Sequence, residues 1–557
     1  MSQRSNQWPD KTLDTRSAVA YGAAVAVAIV LFVILFAVLV PRNPLRMDEV
    51  DYFQSMQNVI RLGLPLYYAG EVDLSPNSLM HLSTRLLAGQ QFEFYRFKPE
   101  TGILKETFFA LAGGHSRYTY GLWHPPLYIY TGALFLWAVP LSPENSGLLR
   151  YFNLIFCIGI FAGMAALSRQ LYPEHYRSVF ALSLILFVLN NFAVRGSLLI
   201  DYNGALGPCV AIWFALAYLR SERLDALHAG LAGMTAAVLF TGLGIATSLV
   251  AGVLVYIAVW GRGRKPSRSL ASIVAGIGFF LIAFWAICRL LNLPFSQPFL
   301  HNFQRAGIRL SADWLAVQVS SAFTYAATYV REVGYWIVLL SLVLWVKAIA
   351  SGEVGGSSSR NLLPVLVSVG FLLQGSLRAD AYGFPKYVVF LLPLLFVYLA
   401  GQLASTFAGS RTHRRAARGL LAFCLAAILL SESWAWFSTL QKPGGTLYLP
   451  GERGISEIAR TVQSESGAGE VILGPKDVAF LAGRRFVQWS GALLTDAALL
   501  RKRVDGASIR HLVGDAGMRA LVSPDVAGYL QVYFNTRTRE GDYSLLLRNS
   551  APVPAVQ

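Results

Sequence analysis

The chain has 557 residues, of which 55% are hydrophobic and only 14% charged, with a mean hydropathy of +0.48. Soluble domains carry about a quarter charged residues, so the composition excludes a soluble globular protein and describes a polytopic one in a membrane. The net charge of +16 carries topological information when it sits in short loops between spans, and implies no nucleic-acid partner.

The first apolar run, residues 18–40, follows Arg4, Lys11 and Arg16 and precedes no small-residue cleavage site. It reads as a retained first span and not a cleaved leader. Straight after it stands Met47-Asp48-Glu49-Val50-Asp51-Tyr52. Three carboxylates beside lipid are expensive, which makes them a functional-site hypothesis by default. From Asp48 onward Val50, Phe53, Met56 and Ile60 recur every third to fourth residue, predicting a short amphipathic helix lying on the membrane with one face in lipid. Asp48 is placed as its N-cap and Glu49 in its first turn, where the helix N-terminus favours an ionised carboxylate. Both could equally do no more than cap a surface helix.

Residues 72–121 hold many turn signals together with Leu79-Met80-His81 and Phe92-Glu93-Phe94-Tyr95-Arg96-Phe97. They read as an insertion, either an acceptor-specific lid or a structural cover. Trp123-His124-Pro125-Pro126-Leu127-Tyr128 marks the return to the membrane. Further spans are expected at 150–171, 178–194, 203–219, 227–241, 245–260, 269–291, 333–350, 361–377, 386–404 and 417–437, giving eleven with the first. Cys157, Cys209, Cys288 and Cys424 all fall in apolar stretches with no ligand spacing, and read as small core residues.

Orientation follows from the basic residues. If the N-terminus is cytoplasmic and the short piece 127–141 does not cross, the inner loops hold Arg169/Arg177, Arg220/Arg223, Arg262/Arg264/Lys265/Arg268, Lys347/Arg360 and Arg411/Arg414/Arg415/Arg418. The short outer loops hold little beyond Arg195, Arg378 and Lys386. Were 127–141 to cross, every later loop would invert against the positive-inside rule. The piece is therefore interfacial or re-entrant, and the chain a multi-pass protein of the plasma (inner) membrane. Residues 41–149, the loop at 195–203, the loop 292–332 and everything after Pro443 then share the extracytoplasmic side. Residues 441–557 change composition and read as a small soluble α/β domain with strands at Glu470–Leu473, Arg485–Gln488, Arg519–Val522 and Tyr543–Leu547, the last a closing edge strand.

The first span, the Asp48-Glu49 pair, the loop ending His124-Pro125-Pro126-Leu127-Tyr128 and a later Asp201 together resemble the GT-C fold glycosyltransferases. The likeness is to the protein O-mannosyltransferase and aminoarabinose transferase type. Leu149-Arg150-Tyr151, the run Phe299-Leu300-His301-Asn302-Phe303-Gln304-Arg305, and Lys386-Tyr387 before Leu391-Leu392-Pro393-Leu394 fit the same pattern, which spans most of residues 18–440. The resemblance implies a GT-C transmembrane domain over 1–440 and inverting transfer of a sugar from a polyprenyl-phosphate donor to a lipid, glycan or protein acceptor. It implies Asp48 as the base, Glu49 as second choice or acceptor-orienting partner, and Arg305 and Lys386 as cations for the departing phosphate. His124, Arg195, Asp201, His301 and Tyr387 complete the expected substrate-binding set.

Plainer readings stand beside these. Lys386 could snorkel from a span end, Arg305 could pair with Asp313 or Glu332, and Arg195 with Asp201. His124 stands where many relatives of the aminoarabinose type carry a lysine. Asp48, Glu49, Asp51 and Asp201 could supply oxygens to one divalent cation, but the Trp-Trp-Asp signature of the metal-using oligosaccharyltransferases is missing, so transfer without a cofactor is expected. The competing functions are a transporter or lipid flippase, against which the acids lie at span ends and no repeat is visible, and a non-catalytic scaffold.

Overall fold

The computed structural model describes residues 15–46, 48–63, 65–68, 93–95, 108–110, 117–120, 126–221, 227–260, 266–290, 330–350, 359–376, 385–408, 414–441, 454–467, 469–489 and 491–549, with isolated positions between 295 and 327. Helix α1 (Thr15–Leu39) ends in a 3₁₀ turn at Val40–Arg42, with Pro41 at its start, and α2 spans Asp48–Leu62. The first loop then contributes four short strands, β1 (Leu66–Tyr68), β2 (Glu93–Tyr95), β3 (Phe108–Ala110) and β4 (Arg117–Tyr120), in an antiparallel sheet of order β1-β4-β3-β2. Tyr68 stands opposite Tyr118, and Phe109 opposite both Tyr118 and Phe94. The described part of the 72–121 insertion is thus sheet.

Helix α3 (Leu127–Ala138) packs along α2. At about 1.5 Å per residue it is roughly 18 Å long, well short of a bilayer's ~30 Å hydrocarbon core. Beyond it lie α4 (Asn153–Leu171), α5 (Tyr176–Leu189), α6 (Asn191–Leu198), α7 (Leu206–Ser221), α8 (His228–Thr241), α9 (Leu243–Trp260) and α10 (Pro266–Leu290). The helical part closes with α11 (Tyr335–Ala350), α12 (Leu362–Ser376), α13 (Leu392–Ala408, after a 3₁₀ turn at Pro385–Leu391) and α14 (Arg414–Gln441).

Each of the eleven expected runs contains a helix, but they are not eleven full-length spans. Six described helices are long and apolar enough to cross a membrane, or seven if the bent pair α5–α6 counts as one. The runs at 203–219, 227–241, 333–350 and 361–377 are shorter apolar helices of 10–17 residues. The chain is a multi-pass membrane protein. Its central element is α13, apolar on every side as a fully surrounded helix should be, with Leu394, Phe396, Val397, Leu399 and Leu403 all buried.

The run 178–194, expected to be one span, is broken by a 74° bend between α5 and α6. Asn190 adopts an extended conformation there, and its side-chain oxygen accepts from the Ala193 N–H as an N-cap. Its amide donates to the Val333 carbonyl and to Glu432 Oε1 on α14, while Glu432 Oε2 accepts from the Asn191 N–H. The backbone groups freed by the break are thereby satisfied inside the protein, as they must be in lipid.

After α14 the chain forms α15 (Ile455–Glu465), β5 (Val471–Leu473), α16 (Lys476–Ala482), β6 (Arg485–Val487), α17 (Gly491–Thr495) and α18 (Ala497–Gly506). It continues with β7 (His511–Gly514), α19 (Ala516–Leu521), α20 (Pro524–Tyr533), β8 (Phe534–Glu540) and β9 (Tyr543–Arg548). The sheet order is β6-β5-β7-β9-β8, with β6, β5 and β7 parallel and β9 antiparallel to both neighbours. Two expectations are corrected here. Residues 519–522 fall in and just after α19, which Asp515 caps by accepting from the Met518 N–H. Strand β9 is also not an edge, because the polar β8, with three consecutive exposed positions, pairs outside it.

Candidate functional site

The N-terminus of α2 holds three carboxylates, and each meets a different cation. Asp48 Oδ2 lies 2.9 Å from Lys386 Nζ, and the same ammonium lies 2.7 Å from Asp201 Oδ2. Lys386 and Asp201 are sealed, with side chains 4% and 0% exposed, whereas the Asp48 side chain is 51% exposed. Lys386 stands at the start of the 3₁₀ turn that leads into α13, and its ammonium lies 5.2 Å from the centre of the Tyr387 ring.

Asp201 is held by its own turn. Its Oδ1 accepts from both the backbone and the side-chain amide of Asn203, and its carbonyl accepts from the Gly204 N–H. A Cβ at Gly204 would come within 2.3 Å of the Leu199 carbonyl, so the turn is tight enough to need glycine. Asn153 at the start of α4 secures the same loop, donating to the Ser197 and Leu199 carbonyls and accepting from the Tyr128 hydroxyl.

Glu49 points elsewhere. It is buried in a bidentate pair with Arg150, whose Nη2 lies 2.7 Å from Oε2. It also accepts from the Ile200 N–H at 3.0 Å and from the Arg46 N–H at 3.1 Å. Arg150 spends its remaining N–H groups on the carbonyls of Asn43, Pro44 and Leu198. This is a closed network in which donors and acceptors answer one another, the form a buried ion pair needs. Asp51 takes a third cation, Lys476 on α16.

The apolar stripe of α2 also has protein partners instead of lipid. Val50, Phe53 and Met56 are buried, and only Ile60 is exposed. The Met56 side chain lies against Gly132 of α3, where even a methyl group would collide with it. Phe53 meets Phe480 edge-on, and Tyr52 meets Tyr128 in the same way. Burial first, and then the charges of Asp201 and Asp48 with Tyr202 between them in rank, pushes the Tyr52 hydroxyl well above its ordinary value. It stays a neutral phenol beside the carboxylates.

Of the residues predicted from sequence, the structure brings together Asp48, Asp201, Lys386 and Tyr387. Arg195, on α6, donates to Asn191, which also bonds Thr439 of α14, so it belongs to the polar cluster at the broken span. His124, His301 and Arg305 lie outside the described residues. Among the described residues no group of three His, Cys, Asp or Glu is arranged to hold a metal ion. Asn153, Tyr52, Arg46, Asp477 and Lys476 surround the site without having been singled out in sequence. The Asp51–Lys476 pair spans 425 positions, a separation at which no local pattern points to it.

Compared by sequence, the chain matches no family model and no curated protein. Compared by structure, it is similar to the crystal structure of the aminoarabinose transferase ArnT from Cupriavidus metallidurans bound to undecaprenyl phosphate, with a TM-score of 0.57 and 14% identity over 97% of this chain and 99% of that one. The apo structure of the same protein gives a TM-score of 0.57 and 12% identity over 97% of this chain and 100% of that one. The likeness covers nearly the whole chain, and the fold is of the GT-C type.

Proposed function

We propose that this protein transfers a sugar from a polyprenyl-phosphate carrier to a hydroxyl acceptor at the extracytoplasmic face, with Asp48 as the general base. The observation that carries the reading is the asymmetry of the Asp48–Lys386–Asp201 group. One ammonium is shared by two carboxylates, one of them sealed and the other open. A shared cation and a helix N-terminus both favour ionised Asp48, and its exposure leaves it accessible to a substrate hydroxyl.

Asp48 takes the proton of the acceptor hydroxyl while that oxygen bonds to the sugar's anomeric carbon from the face opposite the carrier. The bond from carbon to phosphate oxygen breaks, its electron pair leaves with the polyprenyl phosphate, and the configuration inverts. Lys386, whose ammonium lies 2.9 Å from the base, offers positive charge to the departing phosphate, with Tyr387 packed at its side. Arg195, His124, His301 and Arg305 are the further residues we assign to donor and acceptor. Glu49, its oxygens already engaged, supports the geometry. That ArnT binds undecaprenyl phosphate in the same fold supports a carrier of that class. The contact of α2 with the C-terminal region supports the two sharing one side of the membrane, with residues 441–557 as a separate α/β domain.

The test is Asp48→Asn in the full-length protein, read by mass spectrometry of surface glycans in cells expressing each form and by binding of undecaprenyl phosphate to the purified chain. Loss of a positioned base lowers turnover by about 10²–10⁴-fold, while binding should persist. Unchanged turnover would exclude Asp48 as the base.

A further inference from the structure

The C-terminal region touches the candidate base helix at two points and the residues leading into it at a third. Lys476, the first residue of α16, pairs with Asp51 at 2.5 Å, with side chains only 20% and 13% exposed. Two residues along α2 and one turn along α16, Phe480 meets Phe53 with ring centres 5.5 Å apart. Ahead of α2, the buried guanidinium of Arg46 donates to the Tyr543 hydroxyl on β9 at 2.9 Å and lies 3.9 Å from Asp477 on α16. These contacts join two stretches some 425 positions apart in the chain, and none of them involves the Asp48–Lys386–Asp201 group.

Their placement on α2 gives them leverage. A helix turns about 100° per residue, so Glu49 lies about 100° round from Asp48, and Asp51 about 60° round on the other side. Arg150 therefore restrains rotation of α2 in one sense and Lys476 in the other. Asp48, between them, is aimed by the balance. Without Lys476, the helix keeps its anchors in the membrane part, Arg150 on Glu49 and Lys386 on Asp48, but loses the counter-restraint from the C-terminal region.

We infer that the C-terminal region is a positioning element of the transfer site, and that Lys476 is its principal positioning residue, fixing through Asp51 the rotation of α2 and so the aim of Asp48. The inference rests on reading Asp48 as the base, and it assigns the C-terminal sheet a role in that same site. Displacement of a reacting group by about 1 Å can cost up to 10²-fold in rate. A loosened α2 should therefore lower kcat while leaving the donor's KM nearly unchanged, because Lys476 is paired with Asp51 and stands outside the Asp48–Lys386–Asp201 group.

The experiment uses the full-length protein in nanodiscs, with total polyprenyl-phosphate sugars extracted from the expressing cells as donor. Lys476→Gln and Asp51→Asn should each lower kcat about tenfold or more with KM within about twofold. The swap Asp51→Lys with Lys476→Asp restores the opposite charges across the same gap and should recover most of the lost kcat. In parallel, amide hydrogen exchange over residues 48–62 should quicken in Lys476→Gln and slow again in the swap, which a variant that merely folds poorly would not reproduce. Wild-type kcat in both single variants with unchanged exchange overturns the inference, as does a swap that recovers neither quantity. Asp48→Asn separates the two readings. Full turnover in that variant defeats the base assignment, while the exchange measurement still judges the restraint on α2.

Discussion

Lys386 shares one ammonium between two carboxylates, which leaves the three-residue group with a net negative charge and only one open member. Asp201 cannot release its partner without becoming a sealed, uncompensated anion. The lysine is thereby held in place, and Asp48 is the one member whose side chain is open, 51% exposed against 4% and 0%. Lys386→Met should cost about 3–5 kcal/mol of stability, the usual consequence of leaving a buried charge unpaired. Adding Asp201→Asn should return a large part of that loss. Thermal unfolding of the purified variants checks the pair, and additive losses would mean that the two side chains are not coupled. Asp48, Asp201 and Lys386 were each legible in the sequence, because charges at span ends are costly and need a reason. Their meeting was not legible, since Lys386 is separated from them by 338 and 185 positions. Nor could the sequence tell Asp48 from Glu49. The two are adjacent and alike in chemistry, and the difference lies in a helical rotation that delivers one to Arg150 and the other to an open face.

At the scale of elements, the apolar stripe on α2 was readable from its spacing, and so was the shortness of α3. What the stripe faces was not readable, because α3 and α16 cover it from distant parts of the chain. The broken span shows the same limit. Asn190-Asn191 stands in the sequence as a polar interruption, yet hydropathy alone joins α5 and α6 into one run. The break survives because Asn190 caps α6 and bonds both Val333 and Glu432. Replacing it by alanine removes the cap and those two donations, and should cost about 1–3 kcal/mol. Loss of thermal stability in Asn190→Ala measures this, and a cost near zero would mean the bend is held by packing alone. Strand β8 went unseen for a related reason. Its residues Phe534-Asn535-Thr536-Arg537-Thr538-Arg539-Glu540 are polar, as an outer strand can be, and carry no apolar alternation to betray it.

For the whole molecule, the membrane part and the C-terminal region meet at Arg46 and Asp477. Burial holds the Asp477 carboxyl above its ordinary value of 3.8, against the pull of Arg46 and the Val478 N–H. A carboxyl that binds its proton more tightly when folded contributes stability that is full below the unfolded value and is lost as the pH rises through the folded one. Asp477→Asn imitates the neutral form, so the decline in unfolding temperature across that interval should flatten in the variant. An unchanged profile would assign the decline to other groups.

The join between the ends of the chain also sets an order of events during synthesis. Asp48, its helix and Arg150 leave the ribosome early, but Lys476 follows Asp51 by 425 residues, which at ~5–20 residues per second is roughly 20–85 s. Through that interval α2 lacks its partner on α16. A nascent chain that has not yet reached Lys476 therefore holds Asp48 on a helix tied to the membrane part alone, and the Asp51 pair forms only after that residue emerges.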